Sequence, residues 1–236
     1  MKKIFALVLL ALNVYPVLAQ KHFNKVKITS ETDSISYALG YMLAQNMVKE
    51  GLTDYDATIV GRAFNDSKVN NSPLLSLEEC KNVLQDFFNK KEQELKESQM
   101  KKEREFFAAN AQKEGVKTTE SGLQYKVLDY GDKNGKTPSD DDDIRIQYEG
   151  RLIDGTVFDT SYDNEEPIKL SMNYLIPGMT EGLKLMREGA KYILYIPQEL
   201  GYGDYSPSEA MPAFSTLIFE IELVSVEPPS KDTEDE

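Results

Sequence analysis

The residues with the clearest chemical potential are aromatic and acidic, and they recur through the last third of the chain. They sit in Ile144-Arg-Ile-Gln-Tyr148-Glu-Gly150, Asp154-Gly-Thr-Val-Phe158-Asp159-Thr-Ser161, Leu175-Ile176-Pro-Gly178-Met179, Gly201-Tyr202-Gly203 and Thr216-Leu-Ile-Phe219-Glu-Ile-Glu-Leu223. Alternation and turn residues place these segments on strands around one apolar hollow. The hollow contains no obvious nucleophile, metal cluster or histidine. A site of that composition binds or twists a substrate rather than attacking it.

Other residue types that could do chemistry stand alone. Cys80 is the single cysteine, so no intrachain disulfide can form, and its plain reading is a small buried helix residue. His22 is the single histidine, which makes neither a metal site nor a catalytic dyad. Gly201-x-Gly203 lacks the following helix and basic residue of a phosphate loop. Four consecutive acids, Asp140–Asp143, precede a strand and cannot all face one ion, so they read as a solvated turn rather than a calcium site. No cofactor and no metal is expected.

Two regions of different period must position the hollow. From about Ser30 the apolar spacing is helical: Ile35, Leu39, Met42 and Leu43 follow the start signal Thr29-Ser30-Glu-Thr-Asp33. A second helix is carried by Tyr55, Ile59, Val60 and Phe64, with Thr53 and Asp54 as cap candidates. A third starts near Ser76, with Glu79 in capping-box register and Leu77, Cys80, Leu84, Phe87 and Phe88 on one stripe. From Lys90 to Glu105 the stripe fails, because charge covers nearly every face. The helix is expected to run on to about Lys113, roughly 38 residues or 57 Å at 1.5 Å per residue, as a solvated connector; a disordered charged linker is the alternative.

Past Gly115 the period becomes two. Leu123, Tyr125 and Val127 alternate with polar residues, Ile144, Ile146 and Tyr148 share one face, and so do Leu217, Phe219, Ile221 and Leu223. Asp154-Gly155 signals a turn, and a short helix is expected over Gly178–Arg187. The fold class is therefore α+β: an all-helical N-terminal region with a long connecting helix, then an antiparallel β-sheet closed over one short helix.

The ends and the charge narrow the setting. Lys2 and Lys3, an apolar run from Ile4 and Val17-Leu18-Ala19 before Gln20 fit a cleaved secretory signal over residues 1–19, with no cysteine at the cleavage point for a lipid anchor. Cleavage takes the formal charge from −13 to −15, because the segment holds two lysines and no acid. Such a surface repels nucleic acid and anionic lipid, and no further stretch is apolar enough to span a membrane. Asn65-Asp-Ser67 and Asn70-Asn-Ser72 match glycosylation acceptors, relevant only in a eukaryotic secretory route.

Taken together and in order, the segments from Ser121-Gly-Leu-Gln-Tyr125 to Leu217-Ile-Phe219 make residues 121–226 resemble an FKBP-type peptidyl-prolyl cis-trans isomerase domain. With the helical region added, the chain resembles the secreted, dimeric subgroup that includes the macrophage infectivity potentiator-like proteins. The resemblance implies that Tyr148, Phe158 and Phe219 wall a proline pocket, with Leu175 and Ile176 at its edge. It makes Asp159 and Tyr202 the polar contacts and the Ile176 N–H the donor that orients a substrate carbonyl. Ile168, Met179 and Met211 join Leu175 as substrate contacts. Two positions depart from the family: Met179 stands where a tryptophan usually forms the floor, and Ile168 where an aromatic is common. The loop Asp204–Met211 also differs.

The expected organisation is a signal peptide over 1–19, a helical dimerisation domain over 20–89, a helical connector over 90–116, the isomerase domain over 117–227 and an acidic tail over 228–236. The expected activity is isomerisation of X–Pro bonds in unfolded or nascent secreted polypeptides, in a bacterial periplasm, by a homodimer that also acts as a chaperone. A polypeptide-binding chaperone with little catalysis is the alternative, and a structural coiled-coil dimer with an inert cap a third reading.

Overall fold

The computed structural model describes residues 26–69, 73–208 and 210–229, and the chain divides after Ser76 into two compact units. The expected leader over 1–19, His22, the acceptor sequence Asn70–Ser72 and the acidic end beyond Pro229 lie outside the described residues.

In the first unit, helix α1 spans Glu31–Lys49. Ser30 and Asp33 cap it reciprocally: Ser30 Oγ accepts the Asp33 N–H at 3.1 Å and Asp33 Oδ2 accepts the Ser30 N–H at 2.9 Å. Gly51, at φ 79°, takes the left-handed position just past the helix end. Helix α2 spans Ala57–Val69. Its cap is neither Thr53 nor Asp54 but Asp56, whose Oδ1 accepts the Thr58 N–H at 2.7 Å. Cap residues are common in this stretch, and only the backbone turn decides which one faces the free N–H groups. No side chain of α1 is buried, although its apolar spacing is that of a core-facing helix.

The second unit opens with helix α3, Leu77–Asn110, whose 34 residues extend about 51 Å. It ends before Lys113, and Ala111–Lys113 continue as turns closed onto Phe107, Ala109 and Asn110. Cys80 on this helix is half-buried rather than fully enclosed. The last turns of α3 are solvated on one side only: residues 91–98 are exposed, but Gln99, Glu103 and Phe106 are half-buried and Asn110 buried, spaced four, three and four apart along one seam. The seam escapes a search for apolar periodicity because three of its four residues are polar. Asn110 Nδ2 donates to Gln124 Oε1 at 2.9 Å, Gln124 Nε2 donates to the Phe107 carbonyl at 3.1 Å, and the Phe106 ring lies 5.9 Å from that of Tyr195.

The sheet has seven antiparallel strands: β1 Val116–Thr118, β2 Gln124–Tyr130, β3 Asp143–Leu152, β4 Val157–Thr160, β5 Ile168–Ser171, β6 Ala190–Ile196 and β7 Leu217–Glu227. They run in the order β1-β2-β6-β7-β3-β4, with β5 also on β3. Ile144, Ile146, Tyr148 and Leu152 of β3 face the core, as do Leu217, Phe219, Ile221 and Leu223 of β7.

Helix α4, Pro177–Leu183, covers this face, with Pro177 at its first position, where no N–H is needed. It is shorter than the expected Gly178–Arg187, and Leu185 and Met186 follow in turns closed onto Gly182 and Leu183. Gly178 and Gly182 lie four apart on the side facing β6, where a Cβ on either would run into Ile196 or Leu194. The two bare positions let the helix backbone sit directly on the sheet, with Met179, Leu183 and Met186 filling the core beside it. The acids of Asp140–Asp143 diverge rather than cluster: Asp140 pairs with Lys184, Asp142 accepts from Ser139 N and Oγ, and Asp143 pairs with Lys169 at 3.0 Å.

Candidate active site

The site grows from a gap in the pairing of β3. One edge of this strand is shared by two short partners: β5 covers Asp143–Ile146 and β4 covers Glu149–Arg151. Tyr148 falls between them, and Ser161 supplies what a strand would. The Ser161 N–H donates to the Tyr148 carbonyl at 2.9 Å, while Ser161 Oγ accepts the Tyr148 N–H at 2.7 Å and reaches Gln147 Oε1 at 2.7 Å. Ser161 is 1% exposed, so this exchange takes place away from competing water. It fixes Tyr148 while leaving the chain free to turn away into 162–167.

Gly150, two residues on, faces Phe219 across β7 and Asp159 across β4. A Cβ on Gly150 would come within 2.7 Å of the Phe158 ring and 2.9 Å of the Phe219 ring. The missing side chain therefore makes room for the aromatic walls. Phe158 meets Phe219 edge-on, at 5.5 Å between centroids and 84° between planes. Tyr148 is tilted against Phe219 at 5.9 Å. Both separations lie in the range where ring edges meet ring faces favourably.

The polar groups converge on the same rings. The Tyr148 hydroxyl donates to Asp159 Oδ2 at 2.5 Å. Burial, reinforced by that hydrogen bond and by the Asp159 charge, holds the Tyr148 phenol well above the ordinary tyrosine range. Burial and then the Asp159 charge push the Tyr202 phenol up as well, which puts Tyr202 in the field of the same carboxylate. Both tyrosines are thus neutral hydroxyls at physiological pH. Among the described residues no acceptor takes the Tyr202 hydroxyl or the Ile176 N–H. Ile176 is the N-cap of α4, where its carbonyl accepts from Met179 and Thr180 and its own N–H stays outside the helix.

The remaining apolar residues expected at the site are members of the hydrophobic core of this unit or pack against it. Tyr148, Met179, Met211 and Phe219 are buried in it, and Phe158, Ile168, Leu175 and Ile176 pack against it half-buried. Met179 is 6% exposed and lies among apolar side chains on the first turn of α4. Met211 closes a small bridge with Ser208, and its carbonyl accepts from Ser206 Oγ at 2.7 Å. Among the described residues there is no group of acids, cysteines or histidines that could hold a metal ion.

Comparison with known proteins agrees with this architecture. Residues 134–224 match the family described as FKBP-type peptidyl-prolyl cis-trans isomerase, and residues 32–127 match the domain amino-terminal to it. The peptidyl-prolyl cis-trans isomerase Mip of Coxiella burnetii is 32% identical over 227 residues, which cover 93% of this chain and 97% of that protein. The chain belongs to the FKBP-type family.

The crystal structure of FkpA from Escherichia coli superposes on this FKBP-type chain with a TM-score of 0.64 at 32% identity, covering 86% of this chain and all of that one. FkpA of Aeromonas hydrophila is 46% identical over 132 residues, and the match spans 56% of this chain but only about half, 48%, of that protein. The enzyme class implied by the sequence resemblance is the one these relatives carry in their names.

Two residues of the candidate site close sequence segments singled out above without a role assigned to them there. Gly150 matters only once Phe158 and Phe219 are seen to fill the place of its side chain. Ser161 matters through its hydroxyl and N–H, which stand in for a strand beside Tyr148.

Proposed function

We propose that this chain accelerates cis–trans isomerisation of X–Pro bonds in unfolded polypeptides of the bacterial periplasm, reaching that compartment by a cleaved signal and working as a homodimer with chaperone activity. The observation that carries the catalytic reading is the packing of Tyr148, Phe158 and Phe219 around the bare Gly150, with the Tyr148–Asp159 hydrogen bond at the rim.

Rotation about a peptide bond must break amide resonance against a barrier of about 18–20 kcal/mol, and for X–Pro it proceeds unaided over tens to hundreds of seconds. No proton needs to move and no covalent bond needs to form. The twisted bond has lost resonance and so carries less charge separation than either planar state, so an apolar aromatic enclosure disfavours the planar states relative to it. Lowering the barrier by about 5 kcal/mol gives nearly four decades in rate. In this reading Phe158, Phe219 and Tyr148 enclose the proline ring, with Met179 beneath it. Leu175, Ile168 and Met211 complete the apolar rim. The Ile176 N–H holds a substrate carbonyl, while the Tyr202 hydroxyl donates to the rotating carbonyl or its neighbour, under the field of Asp159.

Exposure of the helical faces supports the dimer. Ile35, Leu39 and Met42 of α1 are 62%, 56% and 66% exposed although they share one face. A stripe of that kind is stabilised by a second copy. Two weak sites on one dimer then raise the effective concentration for a single unfolded client. The names of the relatives support an envelope setting, since one is an outer membrane protein Mip of Legionella longbeachae, and among the described residues no helix is long and apolar enough to cross a membrane.

Met179 favours a second reading, in which polypeptide binding outweighs turnover, because a thioether supplies an adaptable floor but no ring to stack on proline. The test pairs two assays on the same preparation: refolding limited by proline isomerisation, and aggregation of an unfolded protein without that limit. Acceleration of the first that Phe158→Ala abolishes supports the enzyme; suppression of the second with no effect on the first supports the chaperone alone.

A further inference from the structure

We propose that Glu103, on the connecting helix, is a positioning residue for the isomerase pocket, holding the turn that carries Tyr202 and the start of the strand that carries Phe219. This rests on the pocket assignment above. A single carboxylate oxygen makes both contacts: Glu103 Oε2 accepts the Gln198 N–H at 2.8 Å and the Thr216 hydroxyl at 2.8 Å. Gln198 opens a one-turn 3-10 helix, and its carbonyl accepts from Gly201 and Gly203, the two residues that bracket Tyr202. Thr216 is 4% exposed and directly precedes Leu217, the first residue of β7, three positions before Phe219.

The two held segments are also tied to each other. The Phe214 N–H donates to the Gly203 carbonyl at 2.6 Å, and Phe214 is a buried residue in the left-handed region, at φ 58°. A non-glycine residue keeps that conformation only where its surroundings over-determine it. Part of those surroundings is the helix: Lys96 Nζ lies 5.6 Å above the Phe214 ring. Lys96 and Glu103 are seven residues apart, two turns along one face of α3.

Between these contacts the helix stands off the body across a cavity of about 320 Å³, lined by Gln99 and Lys102 on one side and Leu152, Asp154, Pro212 and Thr216 on the other. The helix thus grips the pocket loops at points, and the carboxylate is the strongest of them. A charged acceptor shared by a backbone N–H and a buried hydroxyl is the kind of hydrogen bond that orients a loop with little tolerance. The connector is then part of the catalytic body as well as its link to the helical unit.

The experiment uses the full chain with Glu103→Leu, Glu103→Gln, Thr216→Val and Tyr202→Phe, reading kcat and KM on a proline tetrapeptide and amide hydrogen exchange at Gln198–Gly203. Glu103→Leu is expected to lower kcat about five- to tenfold with KM little changed and to speed exchange in the turn, since misplacing a positioned group acts on the oriented step. Glu103→Gln, whose amide oxygen can accept both bonds, restores most of kcat, and Thr216→Val gives a smaller loss than Glu103→Leu. Wild-type kcat in Glu103→Leu and Thr216→Val, or a Gln variant as impaired as Leu, overturns the proposal even if stability falls. If Glu103→Leu fails to fold, Thr216→Val decides on the same readouts. If Tyr202→Phe turns over like wild type, the pocket assignment fails instead, and the exchange rates decide whether Glu103 holds the turn.

Discussion

Gly150 and Phe219 face each other across β3 and β7, and the side chain that Gly150 lacks is the space into which the Phe219 and Phe158 rings reach. A methyl there must displace one or both rings, which pack edge-on against each other. Gly150→Ala is therefore expected to lower kcat/KM by tenfold or more and to cost about 1–3 kcal/mol of stability, the usual range for overpacking. Urea unfolding alongside peptide turnover checks both parts.

Among the described residues, Tyr148 and Asp159 form the one side-chain to side-chain hydrogen bond between proposed pocket residues. Asp159 is exposed on its β4 face, so solvent screens the pair, and its coupling is expected at about 1 kcal/mol rather than the larger values of buried charged pairs. A double-mutant cycle with Tyr148→Phe and Asp159→Asn measures it. Coupling near zero would mean that the carboxylate acts on substrate alone.

Tyr148 and Tyr202, the two tyrosines of the proposed site, are shifted the same way, and the sign fixes a pH window. Burial raises the Tyr148 and Tyr202 phenols, with Asp159 adding to each. A raised folded-state pKa means that the proton is held more tightly when folded. That stabilisation is complete below the unfolded value of about 10 and is lost as pH rises through the higher folded value. Turnover is expected to be flat between roughly pH 6 and 9, and ultraviolet titration should place the Tyr148 and Tyr202 phenolates at the alkaline end of the tyrosine set. A drop in kcat/KM centred below pH 9 and removed by Tyr202→Phe would contradict the assignment.

Met179 offers a reporter, because the chain contains no tryptophan. In Met179→Trp all indole emission arises at the floor of the proposed pocket. A proline tetrapeptide is expected to shift that emission, and the added ring to raise affinity severalfold if the backbone of α4 accommodates it. An emission spectrum indifferent to saturating peptide would place the substrate elsewhere.

Much of this was legible from residue order. Ser30 and Asp33 announced the first helix, alternation in β3 and β7 announced the inward faces, and the spacing of Met179, Leu183 and Met186 announced the helix that covers them, because each of these signals is local. What was not legible depends on partners distant in sequence. Asp56 rather than Asp54 caps α2 because of the path of the backbone. Glu103 and Asn110 are held by Gln198, Thr216 and Gln124, and hydrogen bonds of that kind leave no apolar period. Gly150 and Ser161 matter only once Phe158, Phe219 and the gap beside Tyr148 are in place.

The exposed stripe on α1 predicts the assembly. Ile35→Glu with Leu39→Glu should convert a dimer to a monomer in light scattering, leave tetrapeptide turnover within about twofold, and weaken suppression of aggregation, since avidity rather than chemistry is lost. A wild-type chain that is monomeric at micromolar concentration would remove this part of the account.

The central claim is catalysis by the aromatic pocket, and cis-to-trans relaxation of an X–Pro tetrapeptide tests it most directly. The wild-type chain should accelerate relaxation in proportion to its concentration, with Phe158→Ala and Asp159→Ala each lowering kcat/KM at least about tenfold. Relaxation at the uncatalysed rate with the wild type, or full acceleration by both variants, would contradict it.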